Sequence, residues 1–399
     1  MPNCGFEFLS AYQPGYDTAY QQNGYQGYSN ALQSSMEAQP MPSYAYLCTV
    51  TQPMRSNEAY LPPDGMCDYV FYDSLYKNGK NSVPSGVSTF EPDTRYFIEQ
   101  ASKYSKTKFG LSFAPEYALL NTDYKDPAFN TVIDALWGYE VSHFGFLDLY
   151  QHYAQHATVK EALTVLKAIH VHLLPKTSSS RPSYYVVGIS FDGAAEDRVL
   201  SLMKTVFTPS MYISIAHLSY SNESLSVLRQ LDKMGFAIPT AISFSLKGVY
   251  YAPRISSPNS PKEHEFSLFG PCVDFHTSNF DDPKTLCGNP DWTPQVILHE
   301  MAYSLKLKRM MTYLTESMIS TLACDVKQFN LNLNFGIAAY DVDYDRAAPC
   351  KDFGFKTLGS SYSRVANTRE VMNFFRTNYT KPTDNFVCQM MFTAYDRFM

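Results

Sequence analysis

Ser142-His-Phe-Gly-Phe-Leu-Asp-Leu-Tyr-Gln151 is an apolar run of strand length with a single acid, Asp148, near its end. Upstream, residues 128–140 place Val132, Ile133, Leu136 and Trp137 at helical spacing. Downstream, residues 159–173 do the same with Leu163, Leu166, Ile169 and Val171. A strand between two amphipathic helices is a βα unit, and a chain of such units builds a parallel sheet.

The pattern repeats in both directions. Before this fourth strand come β-type runs at 44–50, 67–73 and 108–114, with a helix expected near 94–103. After it come strands at 184–191, 211–217, 237–245 and 335–341. Helices are expected near 194–207, 223–234, 295–308, 312–326 and 368–378. Eight strands, most followed by a helix, are what a (β/α)8 TIM barrel requires. A Pro-rich insertion after the seventh strand, about 252–295, breaks the rhythm and reads as loops. Residues 1–43 are rich in Tyr, Gln, Asn, Ser and Gly and nearly lack Val, Ile and Leu, so a disordered tail is expected there, with the barrel over 44–399.

Composition narrows the classes. A net charge of −6 gives no electrostatic case for nucleic acid or anionic membranes. No apolar run in residues 1–43 has the form of a signal peptide or a membrane span. The eight cysteines form no C-x-x-C pair, and their wide spacing fits disulfides in an oxidising compartment. Cys48–Cys67 would tie the first strand to the second, Cys272–Cys287 would close the insertion, and Cys350 would pair with Cys388 or Cys324. Two glycosylation sequons begin at Asn222 and Asn378.

Several segments are similar to one family. Cys67-Asp-Tyr-Val-Phe-Tyr72 resembles its second strand, and Phe109-Gly-Leu-Ser-Phe-Ala114 its third. Leu218-Ser-Tyr-Ser221 stands where its sixth strand carries Met-x-Tyr-Asp. Gly336-Ile-Ala-Ala-Tyr-Asp-Val-Asp-Tyr-Asp345, followed by Cys350, resembles its eighth. On these motifs the chain resembles the glycoside hydrolase family 18 barrels, which include chitinases and chitinase-like lectins. It looks most like the divergent chitinase-like proteins of ticks.

The resemblance implies a fourth strand ending in Asp-x-x-Asp-x-Asp-x-Glu, whose Glu protonates the glycosidic oxygen while the substrate's own N-acetyl group attacks the anomeric carbon. With Gly145 as anchor, those acidic positions fall on Phe144, Leu147, Leu149 and Gln151. An amide at Gln151 has no proton to give at this site, so general acid catalysis is lost. The family's sixth-strand Asp is Ser221 here, and its eighth-strand Trp is Tyr340. Asp148, between two leucines that would face the interior, is expected to point toward the helix layer as a structural acid.

Other patterns fall short. Asp341-Val-Asp-Tyr-Asp345 opens like a calcium loop but has Arg346 where Gly is needed and Asp352 rather than Glu at the twelfth position. A cluster of strand-end acids in the barrel mouth is the better reading. His299-Glu-Met-Ala-Tyr303 lacks the second His of a zinc protease, and His152 with His156 has no third ligand. No metal or other cofactor is expected. Asp192 is a candidate ligand contact or a helix cap, His217 a satisfied core histidine, and Tyr220, Tyr250 and Tyr340 candidate sugar-stacking rings.

The expected function is that of a catalytically inactive chitinase-like protein, extracellular, binding a glycan such as a chitin oligosaccharide or a protein partner. Candidate binding residues are Gln151, Asp192, Tyr220, Ser221 and Tyr340. The alternatives are an active glycoside hydrolase on N-acetylglucosamine polymers with relocated acids, and a structural or self-associating scaffold.

Overall fold

A computed structural model describes residues 36–51, 61–115, 120–150, 155–190, 196–215, 217, 238–267, 270–274, 280–295, 301–329, 331, 334–346, 353–355 and 361–394. Seven strands come first: β1 (Tyr46–Val50), β2 (Tyr69–Leu75), β3 (Lys108–Phe113), β4 (Val141–Leu149), β5 (Tyr185–Ile189), β6 (Met211–Ser214) and β7 (Thr240–Ser245). The chain then makes six short strands: β8 (Gly248–Pro253), β9 (Cys272–Asp274), β10 (Phe280–Asp281), β11 (Thr293–Pro294), β12 (Met301–Ser304) and β13 (Arg309–Thr312). It returns as β14 (Phe335–Tyr340). Strands β1–β7 and β14 close into a barrel in the order β1-β14-β7-β6-β5-β4-β3-β2, every pair parallel. This is a (β/α)8 barrel, and all its strand C-termini reach one rim.

The described helices are α1 (Pro92–Ala101), α2 (Pro127–Gly138), α3 (His156–Leu173), α4 (Glu196–Thr205), α5 (Glu316–Phe329), α6 (Ser363–Thr377) and α7 (Asp384–Ala394). Helix α2 starts where it does because Asp126 accepts the Ala128 N–H at 2.8 Å and Pro127 fills the first helical position. Helix α3 buries Val159, Leu163, Leu166, Ile169 and Leu173, one face of the helix, against the strands. None of the described helices is long and apolar enough to cross a membrane.

The strands alternate between two apolar layers. Leu47, Phe71, Leu147, Val186, Ile213 and Tyr340 fill the barrel interior. Val70, Phe109, Phe144, Leu149, Val187 and Ile337 belong to the larger layer shared with the helices. Gly188 faces inward where space is short: a Cβ there would lie 2.8 Å from the Tyr340 hydroxyl and 2.9 Å from the Leu147 carbonyl oxygen.

Three expectations are corrected. The end of the supposed tail is ordered: Ala38 and Met41 donate their N–H groups to the carbonyls of Thr208 and Ser210, and Met41 is buried with the interior residues. A short stretch without a core of its own is held by pairing to the approach of β6, which a compositional reading cannot see. The insertion is a six-stranded antiparallel sheet, β10-β8-β13-β12-β11 with β9 on β8, rather than loops. The helix expected over 295–308 is replaced by the β12–β13 hairpin, whose Met301, Met310 and Met311 are fully buried.

The third correction concerns the cysteines. Cys48–Cys67 joins β1 to the approach of β2 as expected. Cys324 pairs with Cys388, so neither is the partner of Cys350. Helices α5 and α7 lie side by side and bring the two Cα atoms to 6.0 Å, within disulfide range. Cys272 and Cys287 are both disulfide-bonded.

Candidate functional site

The rim is built from residues that end or follow the barrel strands. Asp73 ends the inward series Tyr69, Phe71, Asp73 of β2. Lys77 lies two residues past the end of β2, and Asp341 and Lys247 follow β14 and β7. His217 lies three residues past β6. The charges of Asp148, Lys77 and Asp341 all act on Asp73, so residues of β2, β4 and β14 face one another at the rim.

Asp148 is in this centre, not against the helices. The register between β4 and β5 shifts between Phe146↔Val187 and Leu149↔Ile189, so three steps of β4 match two of β5. That bulge resets the alternation: Leu147 faces inward, Leu149 joins the outer layer, and Asp148 turns into the mouth. The Tyr150 hydroxyl donates to Asp148 Oδ1 at 2.6 Å. The charge of Asp148 also acts on the Asp73 carboxyl.

Burial pushes the Asp73 carboxyl well above the usual carboxylate range, and the charge of Asp148 adds to the push. Asp73 is 3% exposed, and its Oδ1 has no hydrogen-bond partner. The hydroxyls of Ser74 and Ser190, at the ends of β2 and β5, are likewise buried and unpartnered.

Asp341 is the opposite case. Burial alone would raise its carboxyl, but Lys247 and Ser245 outweigh burial and hold it below the usual range. Lys247 Nζ lies 2.7 Å from Oδ1, which also accepts from the Thr51 hydroxyl at 2.9 Å, and Ser245 donates to Oδ2 at 2.5 Å. His217 bonds Ser243 at 2.8 Å, and burial lowers its imidazole to about 4, so it is neutral near pH 7. Its ring is 4.7 Å from that of Tyr340.

The expected site residues fare differently. Phe144 and Leu149 face the outer layer and Leu147 the interior. Tyr340 is in the mouth but 1% exposed, with its hydroxyl spent on the Leu147 carbonyl, so it presents no open stacking face. Tyr250 lies in the inserted sheet against Trp292 at 5.7 Å. Asn378 is exposed at the end of α6. Gln151, Asp192, Tyr220, Ser221 and Asn222, and the helix expected over 223–234, lie outside the described residues. The acids 341–345 do not form one cluster: Asp345 is paired with Arg364 behind the rim. The reading of the sequence missed Asp73, Lys77 and Lys247, although the alternation Tyr69, Phe71, Asp73 marked the first of them.

No family model matches the chain, and no curated protein matches it. Among solved structures, a chitinase-like agglutinin from Robinia pseudoacacia is similar over 81% of this chain and 98% of its own, at 12% identity and a TM-score of 0.51. The C-terminal domain of a putative chitinase from Desulfitobacterium hafniense covers 82% and 99% at 10% identity, with a TM-score of 0.49. The first likeness shows a shared fold.

Proposed function

We propose that this chain is a chitinase-like barrel that binds a glycan at its rim without hydrolysing it. One observation carries the reading: at the tip of β4 the interior position is taken by Leu147, and the remaining acid, Asp148, accepts the Tyr150 hydroxyl at 2.6 Å. A carboxyl that serves as acceptor for the Tyr150 hydroxyl is not placed to protonate a leaving group. Asp341, the other described acid of the mouth, is neutralised by Lys247. What remains is a neutral, hydrogen-bonding floor of carboxyl, serine and ammonium groups, the kind of surface that reads sugar hydroxyls. The fold is shared with a protein named as an agglutinin. The disulfides and the exposed sequon at Asn378 support an extracellular location.

The test is calorimetric titration of the purified chain with N-acetylglucosamine oligomers, with chromatography of the same samples after prolonged incubation. Saturable binding with intact oligomers is expected. A second reading, hydrolysis by relocated acids, is favoured by Asp73, a carboxyl in the mouth that burial pushes well above the usual carboxylate range. Shortened products that disappear in Asp148→Asn would establish it and overturn the binding-only reading.

A further inference from the structure

The inserted sheet ends in a cluster that neither the barrel core nor the rim uses. Strands β12 and β13 are joined by the turn Leu305-Lys-Leu-Lys308, with Ser304 paired to Arg309 across the hairpin. Residues 305–309 are all exposed: Leu305 at 41% and Leu307 at 48%, with Lys306, Lys308 and Arg309 among them. The same hairpin buries Met301, Met310 and Met311 completely, so the exposed leucines are not the sign of a poorly packed sheet. Tight turns ordinarily carry Gly, Asn, Asp or Pro. This one has none, and Lys308 takes a φ of 52°, a conformation that favours glycine. The turn is held in place: Lys306 Nζ lies 2.8 Å from Asp291 Oδ2, and the Leu307 N–H donates to Ser304 Oγ at 3.1 Å.

Strand register brings a third apolar side chain and a fourth cation to the same end of the sheet. Met310 of β13 pairs with Tyr251 of β8, and the next residue of β8, Ala252, pairs with Asp274 of β9. Val273 of β9 is 66% exposed. Arg254, one residue past β8, is also exposed, and its N–H donates to the Pro271 carbonyl, two residues from Val273. Strand β8 starts at Gly248, next to Lys247 at the rim, so this end lies about 17 Å further along the strand. Of the acids nearby, Asp291 is paired with Lys306, Glu265 accepts from the Ser256 and Lys262 N–H groups, and the charge of Glu263 acts on Tyr303. Single exposed apolar residues need no explanation, but three of them at one tip among basic side chains do.

We propose that this end of the inserted sheet docks on an anionic lipid surface. Leu305, Leu307 and Val273 enter the boundary between headgroups and acyl chains, and Lys308, Arg309 and Arg254 meet the lipid phosphates. Long basic side chains suit that depth, because their stems are apolar and their charged heads stay in the headgroup layer. The mixture of residues decides the class of partner. A sulfated polysaccharide would use the cations and leave the leucines in water, and an uncharged bilayer would use the leucines alone. An anionic bilayer uses both. The net charge of −6 belongs to the whole chain of 399 residues, and screening over about 8–10 Å leaves a local basic cluster its own field. This surface is separate from the rim, and the inference does not depend on glycan binding there.

The experiment sediments the full chain with vesicles of phosphatidylcholine alone and with vesicles in which about one third is phosphatidylserine. Binding is expected to the phosphatidylserine vesicles only, and it should fall as salt is raised. Leu305→Ser combined with Leu307→Ser should weaken vesicle binding at least about tenfold and leave retention on heparin unchanged. Lys308→Glu combined with Arg309→Glu should abolish vesicle binding. All four positions are exposed, and a circular-dichroism melt confirms that each variant is folded. No binding to either kind of vesicle would overturn the inference. Vesicle binding that the leucine variant leaves unchanged would do the same, and so would equal binding to both kinds of vesicle. Retention on heparin without vesicle binding would overturn it in favour of a sulfated polysaccharide. Sugar binding at the rim is read separately, by the oligomer titration, so either reading can fail without the other.

Discussion

The Tyr340 hydroxyl donates to the backbone carbonyl of Leu147 at 3.0 Å, joining β14 to β4 across the barrel. The bond exists because Gly188 of β5 leaves room for it: an added Cβ would press on both of its ends.

Gly188→Ala is therefore expected to destabilise the barrel by about 1–3 kcal/mol, as overpacking does, and more than Tyr340→Phe, which loses one hydrogen bond worth about 1 kcal/mol. Urea unfolding of both variants measures this. A Gly188→Ala variant as stable as the native chain would show that the Tyr340–Leu147 contact is not tight.

Asp73 holds its proton to a higher pH in the folded chain than in the unfolded one. Its contribution to stability is full below the ordinary carboxylate value, about 3.9, and declines as pH rises from there toward the folded value. Asp341, held low, acts in the opposite sense: its contribution is present above the ordinary value and is lost as pH falls through the folded one. Asp73→Asn should flatten the decline on the neutral side and leave the acid limb in place. Unfolding free energies across pH would show it, and an unchanged slope would mean that Asp73 is already ionised.

Arg364 is fully buried on α6. Its Nε lies 3.0 Å from Asp345 Oδ1, and its two terminal nitrogens donate to the carbonyls of Leu246, Leu314 and Tyr344. Arg364→Leu leaves the Asp345 charge buried and should cost about 3–5 kcal/mol. Adding Asp345→Asn should recover part of that loss in denaturant titrations. A double variant as unstable as the sum of the two singles would mean that the residues do not act as a pair.

Cys324 and Cys388 are 64 residues apart, Cys48 and Cys67 only 19. Loop-closure entropy assigns about 4 kcal/mol to the first bond and about 3 kcal/mol to the second. Paired Cys→Ser variants should rank in that order in thermal melts. The reverse order would point to native-state packing rather than chain entropy as the larger effect.

The parallel barrel was legible because most strands are followed by an amphipathic helix, and all eight expected strands overlap observed ones. The rim was not legible at β4. A strict alternation from Leu147 sends Asp148 outward, and one bulge against β5 reverses it. No residue type in Phe146-Leu-Asp-Leu149 marks a bulge; it is set by pairing with a strand some forty residues on. The inserted sheet was hidden for a related reason. Its strands have two to six residues, too few for a period to be distinguished, and their pairing is non-local.

The parallel pairing of β1 with β14 brings Tyr46 beside Ile337. Of the barrel strands, β1 thus leaves the ribosome long before its partner β14, and the barrel keeps an open edge until β14 arrives. Until then β1 and β7 are both unpaired on one side, and the inserted sheet separates β7 from β14 in the chain. Closure of so long a loop is slow, and those edges are templates for strands of other molecules while it lasts. Expression of this protein is thus a race between closing the barrel and aggregation through β1 and β7, and truncations that end before β14 should be found in inclusion bodies.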